Sequence, residues 1–279
     1  MTFNALLKKG ITYLADAGIE DAGTDAAILL EHLTGMDRQD MLISGGEETA
    51  AGLEDEYRAL LEKRAEHEPV QYITGMADFM GLRFRVNENV LIPRFDTEFL
   101  VEEMMIDVCD GASVLDMCTG SGCILLSLMS YKNGITGAGA DISRAALDIA
   151  KENERMIKEH EPVEWILSDM FENVTGKYDY IVSNPPYIQS EVIPTLMSEV
   201  KDHEPRIALD GDGDGLRYYR IIAKEAGKYL KRHGKLFLEI GYDEAEAVCR
   251  LLREGGFTDI QVKKDYSGND RVVRGEYHV

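Results

Sequence analysis

Up to about Glu68 the apolar positions recur at helical spacing. Leu7, Ile11 and Leu14 fall at i, i+4 and i+7, which is one face of a helix. Thr24 can cap a second helix carrying Ile28, Leu29 and Leu33, which Gly35 would end. Leu53, Tyr57, Leu60, Leu61 and Arg64 mark a further helix. The pattern predicts a small helical bundle over residues 1–68. From 69 to 92 the character changes: Phe84 and Val86 alternate with Arg83, Arg85 and Asn87, and Gly75 and Gly81 punctuate the run. That predicts a linking β-hairpin. The stretch 93–279 then alternates strand and helix. Strands are expected at 113–115, 135–140, 165–167, 178–183, 235–240, 260–264 and 271–277, with helices near 124–129 and 145–153. Alternation of this kind implies an α/β, Rossmann-like domain with a mostly parallel seven-stranded sheet covered on both faces. The last two strands leave no room for a crossover helix and are expected to pair antiparallel.

Doubly wound sheets bind ligands at the carboxyl ends of their strands. Here those ends carry chemistry in order. The first strand runs into Asp116-Met117-Cys118-Thr119-Gly120-Ser121-Gly122, where two glycines allow a tight turn and close approach of a ligand. A dinucleotide site would want a third glycine, and Leu125 stands there. Asp116 would face a pyrophosphate unfavourably but suits a cationic ligand such as S-adenosyl-L-methionine. Asp141 ends the second strand, where it can accept ribose hydroxyls. Asp169 follows the third, where it can accept from an adenine amino group, with Met170 or Phe171 packing on the ring. Each feature alone also describes an ordinary turn or helix cap; their order along successive strands joins them.

The fourth strand ends in Asn184-Pro185-Pro186-Tyr187. The prolines stiffen the segment and cannot donate, so their carbonyls are expected to be free acceptors. The Asn184 side-chain oxygen and the Pro185 carbonyl can each accept one N–H of a planar NH₂ group, and Tyr187 offers a flat face for stacking. An amide nitrogen is a poor nucleophile because its lone pair is delocalised. Acceptors fixed around it orient it and stabilise the positive charge it gains on methylation.

Charge narrows the substrate. Asp and Glu number 51 against 30 Lys and Arg, a formal net charge of -21. Phosphate backbones are bound through Lys and Arg, so direct nucleic-acid binding is disfavoured. Cys109, Cys118, Cys123 and Cys249 form no Cys-x-x-Cys pair, and no metal site is expected. Lys8 and Lys9 interrupt any apolar start, and no apolar run approaches membrane-spanning length. A cytoplasmic protein is the expectation.

At these residues the chain resembles the HemK/PrmC family of N-glutamine methyltransferases that modify peptide-chain release factors. Arg64 with Glu68 to Gly75 is similar to the family's domain junction. Val90 to Glu98 resembles its Pro-Arg-Pro-x-Thr-Glu segment, with Phe95 in place of the second proline. His203-Glu204-Pro205 through Leu209, Asp214 to Leu216, and Asp265 to Val272 resemble later family segments. The resemblance implies a class I methyltransferase fold and S-adenosyl-L-methionine as cofactor, with S-adenosyl-L-homocysteine as product. It implies as substrate the glutamine of a Gly-Gly-Gln tripeptide on class 1 release factors, held partly by the helical domain of a monomeric enzyme. Carried over residue by residue, Asn184, Pro185, Pro186 and Tyr187 hold the glutamine. Cys118, Thr119, Gly120, Ser121, Gly122, Asp141 and Met170 contact the cofactor, joined by Asp116, Asp169 and Asn184. A ribosomal-protein glutamine, or an adenine amino group in nucleic acid, are the rival acceptors.

Overall fold

The computed structural model describes residues 1–157 and 161–278. The chain begins with α1 (Phe3–Asp16), α2 (Ala22–Thr34), α3 (Arg38–Ser44), α4 (Leu53–Ala65) and the short α5 (Val70–Thr74). A hairpin of β1 (Met76–Phe79) and β2 (Leu82–Arg85) precedes α6 (Phe95–Asp107). Then come β3 (Ser113–Met117), α7 (Cys123–Tyr131), β4 (Thr136–Asp141), α8 (Arg144–Met156), β5 (Glu164–Leu167) and β6 (Tyr178–Ser183). The short α9 (Ser198–Lys201) leads to α10 (Arg217–Glu225), β7 (Leu230–Glu239), α11 (Ala245–Glu254), β8 (Phe257–Lys264) and β9 (Asp270–Tyr277). Two compact units result: Met1–Met76 with Met197–His203, and Ala77–Leu196 with Glu204–Val279.

In the helical unit the apolar faces of α1, α2 and α4 close on Leu6, Leu14, Leu29, Leu30, Tyr57 and Leu61, all buried. Gly10 lets α1 meet α4 closely, since a Cβ there would lie 2.3 Å from the Tyr57 hydroxyl. That hydroxyl donates to the Ala26 carbonyl at 2.7 Å, which satisfies a buried polar group. The second helix starts earlier than expected. Asp21, not Thr24, is its N-cap, and Gly35 ends it with φ +67. Asp25 in the first turn favours this start through the helix dipole. The hairpin is also shorter than the 69–92 stretch. Pro69 opens a helical turn closed by Gly75 at φ +73, so pairing begins only at Met76.

One return of the chain was invisible in the pattern. Residues 197–203 rejoin the helical unit, where Arg64 pairs with Glu199 at 3.1 Å and with Asp25 at 2.6 Å. His67 Nδ1 also lies 3.1 Å from Glu199.

The sheet unit has the strand order β5-β4-β3-β6-β7-β9-β8. Pairing is parallel from β5 through β7, and antiparallel for β7–β9 and β9–β8. The expected mostly parallel, seven-stranded sheet is therefore present. Helix α7 is buried from Cys123 through Met129, because it carries an almost unbroken apolar run. After β3 the chain moves outward to β4 and β5, then returns to the other side of β3 as β6. The strand order reverses there, and a crevice opens at the carboxyl ends. No helix among the described residues is long and apolar enough to cross a membrane.

Candidate active site

The β3–α7 loop builds one wall of this crevice. Cys118, Gly120 and Gly122 have φ of +60, +54 and +78. Such left-handed backbone is comfortable only for glycine, so the two glycines are required by the turn. A Cβ on Gly122 would lie 2.9 Å from the Trp165 ring, whereas one on Gly120 would meet nothing within 4 Å. Gly122 thus serves packing, and Gly120 leaves open space.

Polar side chains lock the loop. Thr119 donates to Asp116 Oδ2 at 2.6 Å, and the Gly120 amide donates to Asp141 Oδ2 at 2.9 Å. Asp141 Oδ1 accepts from the Ser143 amide at 2.8 Å. Burial raises the Asp141 pKa, and the amides of Ser143, Gly120 and Ile142 oppose that rise. Asn153 braces the loop from below. Its Nδ2 donates to the Ser121 carbonyl at 2.9 Å and to the Arg85 carbonyl at 3.1 Å, while its Oδ1 accepts from the Arg85 amide at 2.6 Å.

Around the crevice lies a cleft of about 950 Å³, counting the solvent at its mouth. Cys118, Thr119, Gly120 and Ser121 line it, as do Asp141, Asp169 and Met170 from the next strand ends. Asn184 and Pro186 contribute from the segment after β6. Gly122, Pro185 and Tyr187 are not on its lining. Neither is Asp116, a correction to its expected place facing a cationic ligand. Its side chain is fully buried inside β3 and acts through Thr119 instead. Burial pushes its pKa up to about 7, and its Oδ1 has no hydrogen-bond partner among the described residues.

The donor set fits an adenosyl sulfonium cofactor. Asp141 and Asp169 are acceptors suited to hydroxyl and amino groups, and Ile142 offers a half-exposed apolar surface beside Asp141. Met170 and Cys118, whose sulfurs lie 4.0 Å apart, give a soft wall. The Cys118 thiol is pushed up by burial and by the Asp141 charge, so it stays protonated. Among the described residues Arg94 is the single cation on the lining, and its Nη2 is held at 2.6 Å from both oxygens of buried Glu204. Among the described residues of the lining no free cation therefore awaits a phosphate, which fits an uncharged or cationic ligand better than a dinucleotide.

The Asn184 segment lies beyond the sheet ladders, whose β6 pairing ends at Ser183 on both sides. Asn184 Nδ2 donates to Thr97 Oγ1 at 3.1 Å. This leaves Oδ1 as the atom available to accept. The Tyr187 hydroxyl donates to Glu239 Oε1 at 3.3 Å. Burial raises the Tyr187 pKa, and the Glu239 charge raises it further. Burial likewise pushes Glu239 up to about 7, against lowering by the Thr97 hydroxyl and Arg271.

Thr97, Asn153, Glu239 and the Arg94–Glu204 pair were not assigned roles from the sequence. Asn153 left one signal, a polar residue on the buried face of α8 beside Ile149 and Ala150. One grouping of metal-ligand type among the described residues, His233, Glu276 and His278, lies outside the cleft.

Comparison with known proteins adds relatives along nearly the whole chain. The family described as PrmC N-terminal domain matches residues 5–75, and the Methyltransferase small domain matches 94–206. A release factor glutamine methyltransferase from Agrobacterium fabrum is 38% identical, covering 93% of this chain and 92% of its own. One of the same description from Clostridium acetobutylicum is 38% identical, covering 98% of each. Among solved structures, a methyltransferase from Pyrococcus furiosus superposes with TM-score 0.52 at 16% identity, covering 71% of this chain and 90% of its own. That last likeness speaks for the fold alone.

Proposed function

We propose that this chain, which belongs to the family of release factor glutamine methyltransferases, methylates the side-chain amide nitrogen of a glutamine in the Gly-Gly-Gln motif of class 1 release factors. S-adenosyl-L-methionine is its cofactor, and when bound it supplies an electrophilic methyl group. The loop from Cys118 to Ser121, with Asp141, Asp169 and Met170, holds that cofactor. Asp141 keeps lone pairs for ribose hydroxyls while its two oxygens already anchor Gly120 and Ser143.

The observation that carries the reaction is the bond from Asn184 Nδ2 to Thr97. It fixes the amide so that Oδ1 accepts one N–H of the substrate NH₂. The Pro185 carbonyl, past the end of both ladders, accepts the other. Two fixed acceptors hold the nitrogen in line and stabilise its growing positive charge without reorganising. The amide proton leaves once the nitrogen is cationic and acidic, so no strong base is required at Asn184 or Pro185. Tyr187 steadies the segment through its hydroxyl. The helical unit serves recognition of the protein substrate, and the formal charge of -21 argues against a nucleic-acid acceptor. The enzyme works as a cytoplasmic monomer.

The test is transfer of labelled methyl groups to a purified release factor, beside the same factor with the Gly-Gly-Gln glutamine replaced. Label that disappears with the glutamine supports the reading. Label that persists moves the acceptor site, and no transfer at all points to a ribosomal-protein or nucleic-acid acceptor.

A further inference from the structure

At one end of the sheet three strands bring imidazole and carboxylate side chains to one place. The β7–β9 register pairs Lys235 with Glu276 and Gly234 with Tyr277, so the next residues along, His233 and His278, fall opposite one another. Side chains alternate between the faces of a strand. Tyr277 turns inward and packs on Phe257, at 5.3 Å between ring centroids, so Glu276 and His278 share the outward face. β8 pairs Thr258 with Glu276, and its ladder shifts just beyond, where Asp259 stands at φ +48. His233 likewise has φ +60. Asp and His are among the residues that tolerate this left-handed backbone. Here both side chains meet the end of β9, His233 at Glu276 and Asp259 at His278.

The donor atoms are spaced as ligands of one ion are. His233 Nδ1 lies 2.8 Å from Glu276 Oε1, and His278 Nε2 lies 3.5 Å from the same oxygen and 3.7 Å from Asp259 Oδ2. One ligand atom from each of His233, Glu276 and His278 falls within 4.8 Å of the others. Bonds of about 2.0–2.2 Å to a tetrahedral ion put neighbouring ligand atoms roughly 3.3–3.6 Å apart, and the separations here bracket that edge. An imidazole–carboxylate hydrogen bond and an edge-to-face ring contact account for part of the arrangement. Charge asks for more. Among the described residues the ion-pair partners of Glu276 and Asp259 are these histidines alone. Lys235, beside Glu276 in the ladder, is held by Asp107 at 2.5 Å, and Lys231 by Asp179 at 2.8 Å. With both imidazoles neutral, as ligation requires, the cluster carries two negative charges that no Lys or Arg among the described residues answers. Imidazole nitrogens with carboxylates and no thiolate suit zinc, nickel or copper better than magnesium or calcium, which take oxygen shells. No local spacing marks the set, because His233 and Glu276 are 43 positions apart and strand order brings them together.

We propose that His233, Glu276 and His278, with Asp259 as a fourth ligand, form a surface site for a divalent transition-metal ion of the zinc class, and that this ion fastens the end of β9 between β7 and β8. None of the four residues lines the cleft, so the ion takes no part in methyl transfer and acts on stability. An ion that binds the folded chain and not the unfolded one raises the melting temperature as its concentration passes its dissociation constant.

The experiment titrates Zn²⁺ alone into the untagged full chain by calorimetry, and records the melting temperature with and without Zn²⁺. Wild type is compared with His233→Asn, His278→Ala and the double variant. Both side chains are exposed, asparagine suits the left-handed backbone at 233, and melting in a chelator checks that each variant folds. The expected result is one saturable site per chain and a melting temperature raised by Zn²⁺ but not by Mg²⁺. Each single variant should bind at least roughly tenfold more weakly, since losing only an outer partner of a ligand already costs about tenfold to hundredfold. The double variant should show neither the binding nor the rise. A wild-type chain that takes up no Zn²⁺ overturns the proposal. So does a double variant that binds Zn²⁺ as tightly as wild type, which would place the ion elsewhere, with the exposed Cys109 the first position to test.

Discussion

In the helical unit Arg64 sits between Asp25 at 2.6 Å and Glu199 at 3.1 Å, whereas in the sheet unit Asp116 and Glu239 are buried as deeply with no ion pair among the described residues. The first arrangement matches buried charge with opposite charge. It ties residues 197–203 to α2 and α4 and carries no chemistry. The second leaves one oxygen of each acid unpartnered. Both acids lie directly behind a segment of the cleft, and each touches a hydroxyl there: Thr119 for Asp116, Tyr187 for Glu239. Paired charge makes a rigid joint at small net cost. A hydroxyl that donates to each of these acids has its proton direction fixed by it.

Breaking the pair should give the largest effect. Arg64→Met leaves two carboxylates without their cation and should cost about 3–5 kcal/mol of stability, the usual loss for half of a buried pair. Urea unfolding followed by far-UV circular dichroism reads it as a lower midpoint at similar slope. Asp25→Asn added to Arg64→Met should recover part of the loss. A midpoint that does not move would mean the pair is not what holds this joint.

On the other side of the comparison, Asn184→Ala should leave stability nearly unchanged and lower turnover by roughly a hundredfold to a thousandfold, the range for removing one preorganised partner of the transition state. Cofactor affinity should change little. Full activity in the variant would remove Asn184 from the mechanism.

The two regions also differ in how far the sequence reveals them. The helical core was legible because apolar residues recur at helical spacing within one helix, as Leu7, Ile11 and Leu14 do on α1 and Leu53, Tyr57, Leu60 and Leu61 on α4. The cleft loop was legible because Gly120 and Gly122 follow a strand and open a helix. Asn184 was legible because its motif is contiguous. Thr97 and Asn184 are 87 positions apart, and Asn153 and Arg85 are 68 apart, so no local period relates them. Its place at the end of a strand makes Asp116 look like an acid facing a cationic ligand. Strand geometry decided otherwise: its side chain points into the protein, and residues one and two places further on reach the cleft. The return of residues 197–203 depends on a bond from Arg64 that spans 135 positions.

Asp116 gives a pH prediction that sharpens the contrast. Its folded pKa, about 7, lies above the ordinary carboxylate value. The folded state therefore holds a proton that the unfolded state has already lost. The stability this contributes is complete below the unfolded value and is lost as pH rises through the folded one. Between about pH 5 and pH 7 the wild-type sheet unit should lose on the order of 2 kcal/mol from this acid, at about 1.4 kcal/mol per unit. Asp116→Asn keeps an acceptor for Thr119 and should flatten that slope. Trp165, the single tryptophan and part of this unit, reports it by fluorescence. An equally steep slope in Asp116→Asn would assign the pH dependence to Glu239 or Glu244, whose carboxyls are likewise pushed up to about 7 by burial.

The smallest effect is expected at Asp141, where a half-buried acid is neither ion-paired nor orphaned. Its two oxygens already accept from the Gly120 and Ser143 amides, so the loop keeps its shape before any cofactor arrives. On the proposed reading, ribose hydroxyls would add bonds to lone pairs that are fixed in place, which leaves little ordering cost to binding. Asp141→Ala removes both the acceptors and the two loop anchors. Cofactor affinity should weaken by roughly 1–3 kcal/mol, the cost of leaving buried polar groups unpaired. Asp141→Asn separates the contributions, because it retains one acceptor oxygen but sets an NH₂ against a backbone N–H. If calorimetry finds the Asn variant as weak as the Ala variant, the loop anchors dominate, and Asp141 resembles Asp116 in acting through the fold. An Asn variant of intermediate affinity would mean that direct acceptance by the remaining oxygen matters. Affinity unchanged in both would place the ribose elsewhere in the cleft.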